Sequence, residues 1–450
     1  MDVLALLMQM HLYTPLQYDC MEWYNPWWFN ETDEDYEEWR SSVVKWVPPV
    51  LDELELKPFA LHFLVGPRQV GKTTALKILI HEAMRRGWSP WSMFYYSCDE
   101  LSDYRELGEV LDSYLSAREE HGVRSSLIVL DEVTFVEDWW RAVKSRIDRR
   151  LLRRDVIVVS GSASIELFSQ KELFPGRRGH GRDIVMHPLS FSEYMERVHG
   201  VRTAKAGIAS LEDVERAMKA NSLLLRRISR LFTSYMETGG FPLSIIDKAE
   251  RGRVTQTTVR TYLDWLRSDW TKAGKSSRYM REVIAYILRS RLTPVSWLSI
   301  ARETSIASPH TAQSYVETLE ALFAVLVLNF ITPDGRVHYR KNKKIHPADP
   351  LIYRVFSRYT RVEVLEESIA ESILASHLAR LAPVYYWRNQ TEVDVVAVIE
   401  GRQLGFEAKW GAAPWSRPKH MRTILLDREK LPLFLASLKT EHSSRQQALP

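Results

Sequence analysis

Two cysteines, Cys20 and Cys98, are all that 450 residues contain, so neither a disulfide framework nor a four-cysteine zinc site can be built from them. That scarcity suits a reducing interior. Long apolar runs are missing as well. The stretch 321–327 is too short to span a bilayer, and the apolar opening 1–8 lacks a basic flank and is soon broken by Gln9, His11 and Tyr13. A cytoplasmic protein without a membrane partner is expected. Strong charge imbalance is absent too: a formal net charge of +4 is too weak to demand a polyanionic partner, so local clusters must carry that argument. No internal repeat or low-complexity tract is evident. What is there, 45% hydrophobic and 26% charged residues, has globular proportions, and the length calls for two to four domains.

Between Glu22 and Trp46 the chain is crowded with tryptophan (Trp23, Trp27, Trp28, Trp39, Trp46) and acid (Glu31, Asp33, Glu34, Asp35, Glu37, Glu38), until Pro48-Pro49 closes the segment. These rings are expected to pack on the body of the protein, with stacking on a nucleic-acid base as the alternative. From Ala60 to about Pro188, apolar runs at 61–65, 92–96, 127–130 and 156–159 alternate with helical patterns. That texture predicts an α/β fold around a parallel sheet. Helical patterns follow to about residue 323, then a basic hairpin, then a helix over 366–381 and further strands.

The segment Gly66-Pro67-Arg68-Gln69-Val70-Gly71-Lys72-Thr73 fits G-x-x-x-x-G-K-S/T between an apolar strand and a helix pattern. Its glycines let backbone N–H groups curl around a phosphate at a helix N-terminus, with Thr74 completing the cradle. Lys72 should bridge the β- and γ-phosphates of ATP, and Thr73 should ligate Mg2+. A second apolar strand ends in Asp131-Glu132, where Asp131 would complete the magnesium shell and Glu132 would orient the attacking water. The strand 156–159 ends in Ser160-Gly161-Ser162, and Ser160, with Ser162 close behind, is the candidate γ-phosphate sensor; a plain strand-end turn is the alternative.

These motifs, together with Asp138-Trp139-Trp140, Pro175-Gly176-Arg177-Arg178-Gly179, Pro188-Leu189-Ser190-Phe191 and Asn25-Pro26-Trp27-Trp28, resemble a largely archaeal group of AAA-type P-loop ATPases over nearly the whole chain. The resemblance implies a P-loop ATPase core, a helical lid, a winged helix and a C-terminal α/β domain similar to restriction endonucleases. We set these at residues 49–200, 201–276, 277–345 and 346–450, after the Trp- and acid-rich segment 1–48. Arg177 and Arg178 could reach a γ-phosphate in their own subunit or, in a homo-oligomer, in a neighbouring one; a solvated basic loop is the other reading.

Helical patterns at 278–290, 296–304 and 308–323 have helix-turn-helix spacing, and Ser308-Pro309 is an N-cap and first-turn pair. A hairpin over 325–339 would form the wing, loaded by Arg336, Arg340, Lys341, Lys343 and Lys344. Such a cluster can neutralise phosphates. The outward face of the third helix is expected to offer His310, Gln313, Glu317 and Glu320 but no arginine for guanine. Backbone contact with DNA through the wing, or a structural role, is therefore expected rather than base reading.

Further on, Glu392-Val393-Asp394 and Glu407-Ala408-Lys409 match the D…E-x-K signature of restriction-endonuclease-like folds. A hairpin centred on Glu400-Gly401 sets Asp394 opposite Glu407, with Lys409 on the Glu407 face. Facing carboxylates repel one another, and a divalent metal would turn the penalty into a site that Lys409 assists. The resemblance adds Glu371 as a further acidic member. A surface hairpin in which Lys409 pairs with a carboxylate is the alternative. Two functions follow: an ATPase that remodels or cuts nucleic acid, or a nucleotide-driven oligomeric switch or scaffold whose C-terminal domain binds without cutting.

Overall fold

Residues 21–161, 173–389, 391–411, 418 and 421–439 are described by the computed structural model. They divide into two units. The first runs to Ser42 and includes Val47–Gly66 and Gly71–Met186; the second takes Val43–Trp46, Pro67–Val70 and the chain from His187 onward. No helix among the described residues is long and apolar enough to cross a membrane.

In the first unit, β1 (Ala60–Val65), β2 (Met93–Ser97), β3 (Leu127–Asp131), β4 (Val156–Gly161) and β5 (Asp183–Val185) form one sheet in the order β2-β3-β4-β1-β5, and every pairing is parallel. β1, β3 and β4 are buried along their whole length, which is why each is largely apolar on both faces rather than alternating, with His62 the interior exception in β1. In register, Val65 lies beside Gly161 and Leu130 beside Val159, so the loops that leave β1, β3 and β4 emerge at one edge of the sheet. Ligands of open α/β sheets collect at that carboxyl edge.

β2 is the outer strand, and the N-terminal segment covers it. Asn25 behaves like one residue of a further strand: its Nδ2 donates to the Tyr95 carbonyl (2.9 Å) and its Oδ1 accepts the Tyr95 N–H (2.8 Å). Trp27 and Trp28 both donate indole N–H groups to the Met93 carbonyl (3.2 and 2.9 Å). The packing expected of these two rings is observed, whereas Trp23 is 74% exposed. The acid of the segment has a use as well, since Asp33 holds the buried ammonium of Lys77 at 2.8 Å.

In the second unit, β6 (Val325–Ile331), β7 (Val337–His338), β9 (Val384–Arg388), β10 (Glu392–Ile399), β11 (Arg402–Lys409) and β12 (Thr423–Asp427) line up as β12-β11-β10-β9-β6-β7, with β8 (Lys344–Pro347) pairing β6. The strand expected as the start of a wing thus also lies parallel to β9, in one sheet with the C-terminal strands. Helices Ser277–Ser290, Trp297–Arg302 and Pro309–Ala321 precede β6. The core is shared in the same way: Phe191, Phe232 and Tyr235 pack in one apolar cluster with Leu374, Phe406 and Phe434. Residues assigned by sequence to a lid and to a C-terminal domain therefore build a common interior.

Candidate functional site

The helix Lys72–Arg85 begins where the β1 loop ends. Gly71, its N-cap, adopts φ 97°, a left-handed conformation that side-chain-bearing residues rarely take. Gly66 is required for a different reason: a Cβ there would meet the Met186 carbonyl oxygen at 2.3 Å. Lys72 is buried, and its Nζ donates to the Gly66 carbonyl at 3.0 Å, which keeps the ammonium folded over the loop. Pro67, Arg68, Gln69 and Val70 belong to the second unit, where Arg68 pairs with Asp269 (2.9 Å) and the Gln69 carbonyl accepts from Tyr262 (3.3 Å).

Asp131 is the hub of the cluster. Its carboxylate accepts from Thr73 Oγ1 at 2.6 Å, from the Tyr95 hydroxyl at 2.9 Å and from the Ser160 hydroxyl. Glu132 follows in a left-handed conformation (φ 53°), and its N–H points at Asp131 and at the Ser160 hydroxyl. Sequence reasoning missed Tyr95, which looks like an ordinary apolar residue of a buried strand; only the register of β2 beside β3 brings its hydroxyl to Asp131. Burial, and then the Asp131 charge, push the Tyr95 phenol well above its ordinary range, so it stays a donor. A hydroxyl and a carboxylate this close, at the N-terminus of a long helix, are the oxygen donors that a magnesium–triphosphate takes. The residues present fit that group. Ser162 lies outside the described residues.

Arg177 and Arg178 are not part of this cluster. The Arg178 carbonyl accepts from Leu61 and Gly179 bridges Ala60, at the start of β1, whereas the Gly66–Thr73 loop leaves its end. The six residues of β1 put ~20 Å between the two edges. Arg177 is paired with Asp148 (2.6 Å) and Arg178 with Asp183 (2.6 Å). Neither can reach a phosphate held by its own chain without leaving these partners and crossing the sheet.

The C-terminal carboxylates are brought together, but around a lysine. The ladder runs from Val395 opposite Phe406 to Ile399 opposite Arg402, the register foreseen, and the Asp394 N–H donates to Glu407 Oε2 at 3.3 Å. Lys409 pairs with Glu407 at 3.0 Å. Lys344, expected on an exposed basic wing, is instead buried in β8, with its Nζ 2.6 Å from Glu371, 2.9 Å from Glu392 and 3.0 Å from Asp394. Burial opposes the charge, but Asp394, Glu371 and Glu392 outweigh it and hold the ammonium well above the ordinary lysine range. Among the described residues, no group of three or more His, Cys, Asp or Glu side chains stands ready to hold a metal ion. Glu371 and Asp394 thus already share one ammonium, that of Lys344, and Glu407 holds another, that of Lys409, an arrangement that does not fit a divalent cation.

Of the other wing residues, Lys343 is buried too and donates to the Tyr339 and Lys341 carbonyls, whereas Arg336, Arg340 and Lys341 are exposed beside Tyr339, itself 70% exposed. In the third helix, Ser308 caps as expected by accepting the Thr311 N–H (3.1 Å). Glu320, however, turns inward and accepts from the Val327 N–H, and burial pushes its carboxyl up to about 7. A carboxyl raised in the folded state costs nothing below the ordinary range and progressively more as pH rises through 7. Glu320→Gln, which keeps the acceptor, should therefore stabilise the protein by about 3 kcal/mol near pH 8 and only about 1 kcal/mol near pH 5. Denaturant titrations of both proteins at the two pH values check this; a pH-independent difference would refute it.

A family model matches the segment that holds the first of these sites. Residues 59–195 match the family model described as an AAA domain, and residues 229–361 match one described as a domain of unknown function. No curated protein matches the chain. Among solved structures, it is similar to the Aeropyrum pernix ORC2 protein in ADPNP–ADP complexes (11% identity over 74% of this chain and 95% of that one, TM-score 0.36). It is also similar to the Aeropyrum pernix ORC1 protein in complex with DNA (15%, 73% and 93%, 0.29) and to the Thermotoga maritima RuvB Holliday junction branch migration motor (15%, 69% and 92%, 0.28). The segment 59–195, with its parallel sheet and phosphate loop, is similar to an AAA domain.

Proposed function

We propose that this protein hydrolyses ATP with magnesium at the Gly66–Thr73 loop and couples the cycle to nucleic acid. The observation that carries the reading is the convergence of Lys72, Thr73, Asp131, Tyr95 and Ser160 at the carboxyl edge of the parallel sheet. Backbone amides around Gly71 and the ammonium of Lys72 would take the phosphates, and Thr73 with Asp131 would hold the metal. Magnesium supplies charge neutralisation at the phosphate oxygens when bound. Glu132, beside Asp131, is the candidate to orient water, and Ser160 keeps the Asp131 carboxylate turned toward Thr73. Arg177 or Arg178 would have to serve a neighbouring copy's nucleotide.

Helices Ser277–Ser290, Trp297–Arg302 and Pro309–Ala321 followed by β6 and β7 support a winged-helix reading, and β9 to β12 with the helix Glu366–Ala379 support one of a restriction-endonuclease-like domain. The exposed cluster Arg336, Tyr339, Arg340 and Lys341 supports contact with DNA phosphates. Replacing Arg336, Arg340 and Lys341 together with alanine should weaken DNA retention and flatten its logarithmic salt dependence by about 3. Filter binding across a salt series measures both. If the triple variant keeps the parent's affinity and slope, DNA contact through this turn is wrong.

A second reading, a nucleotide-driven scaffold whose C-terminal domain binds without cutting, is favoured by one specific observation: Lys344 in the midst of the carboxylates. Cleavage of single, double or branched DNA that depends on Asp394 would count against it.

A further inference from the structure

We propose that Lys344 is a resident counter-ion that excludes divalent metal from the Glu371, Glu392 and Asp394 carboxylates. The inference deepens the C-terminal reading above and is independent of the ATP site.

Lys344 enters from β8, a strand whose four residues are all buried and whose partner is β6. Its ammonium has three protons to donate, and three carboxylates stand within 3.0 Å. The Asp394 carboxylate is fixed from its other side, since its second oxygen accepts the Ala408 N–H at 3.0 Å, and Glu371 projects from a helix whose residues Ala370, Ile373 and Leu374 pack into the core. Asp394 is therefore not free to swing toward a second ion.

A hard divalent cation binds carboxylate oxygen at about 2.0–2.6 Å, so on these oxygens it would stand where the nitrogen now is. Two cations cannot share that centre, since charges a few ångströms apart in a buried site repel strongly. Lys409 does not occupy the same position: it contacts Glu407 and is 28% exposed, whereas Lys344 is 2% exposed. The two lysines thus divide the cluster. Lys409 pairs with Glu407 at the more exposed side, and Lys344 fills the space between Glu371 and Asp394 that a metal would otherwise take. Metal entry requires the Lys344 side chain to withdraw.

Mn2+ binding to the full chain without nucleotide, followed by the electron paramagnetic resonance of the free ion, tests this. The parent and Asp394→Asn should bind Mn2+ indistinguishably. Lys344→Met should gain one site per chain, at least about 10-fold tighter than any the parent has, and should lose it when Asp394→Asn is added. Mn2+ should raise the melting temperature of Lys344→Met and leave that of the parent unchanged. Should Lys344→Met not fold, Lys344→Met with Glu371→Gln relieves part of the repulsion and should still gain the site. The comparison of parent with Asp394→Asn decides the matter in any case. A Mn2+ ion bound by the parent and lost in Asp394→Asn overturns the proposal, as does a folded Lys344→Met that gains no site. Loss of ATP turnover in a phosphate-loop variant has no bearing on either result.

Discussion

Lys72→Ala is expected to lower ATP turnover by at least about 100-fold, and Asp131→Asn by a similar factor, for different reasons. Lys72 has its charge folded back over the loop, through the 3.0 Å bond to Gly66; alanine leaves the amides but removes the charge that would meet the phosphates. Nucleotide affinity should fall together with turnover. Asp131→Asn is isosteric, yet it replaces a pure acceptor by a group that is half donor. Thr73, Tyr95 and Ser160 all donate into this carboxylate, so an amide NH2 in place of one oxygen obliges at least one of these hydroxyls to turn and accept instead. It also removes the negative charge that would hold the metal. Binding of nucleotide in the presence of EDTA should therefore persist in Asp131→Asn while Mg2+-dependent phosphate release is lost. Tyr95→Phe keeps the ring and drops one hydrogen bond, an effect of about 1 kcal/mol, so turnover should fall only several-fold. Steady-state phosphate release alongside equilibrium binding of a fluorescent ATP analogue separates the three variants. An Asp131→Asn protein that hydrolyses ATP at the parent rate would remove the basis of the proposed mechanism.

The nucleotide half of the molecule was legible because its signals are local. A buried parallel strand is a largely apolar run, and the residues that close it stand at its end: Gly66 directly after β1, Asp131 as the last residue of β3 and Ser160 as the last but one of β4. The β10–β11 hairpin was legible for the same reason: Glu400 and Gly401 both take positive φ at its turn, and alternation carries the register back to Asp394 and Glu407. What the sequence concealed depends on pairings between distant segments. Lys343 and Lys344 look like part of a solvated basic run with Arg340 and Lys341, and only the pairing of β8 with β6 turns Lys344 inward. Glu392 drew notice as a neighbour of Asp394, not as a ligand to that lysine. Arg177 and Arg178 follow the sensor strand in sequence, which suggests proximity to the phosphate; the return of the chain to the start of β1 carries them to the opposite edge. Charge is visible in a sequence, but whether it faces water is decided by the sheet.

The covering of β2 joins stability to the proposed chemistry and yields the other large effect. Asn25→Ala is expected to destabilise the protein by about 2–5 kcal/mol, since it leaves both the N–H and the carbonyl of Tyr95 without their buried partner. Trp28→Ala should cost about 3–5 kcal/mol, because the ring stacks on Trp91 and Tyr114 and its indole N–H caps the Met93 carbonyl. Trp23→Ala, at a ring that is 74% exposed, serves as the control and should change stability by less than about 0.5 kcal/mol. Asn25→Ala should also slow ATP turnover well below its unfolding transition, in the direction of Tyr95→Phe. The residue it releases is the one whose hydroxyl fixes Asp131, and β2 carries that hydroxyl only while its outer edge is held. Chemical denaturation gives the stability term and phosphate release under native conditions gives the functional one. If Asn25→Ala is destabilised but hydrolyses ATP at the parent rate, Tyr95 orients Asp131 independently of the N-terminal segment, and the segment serves the sheet edge alone.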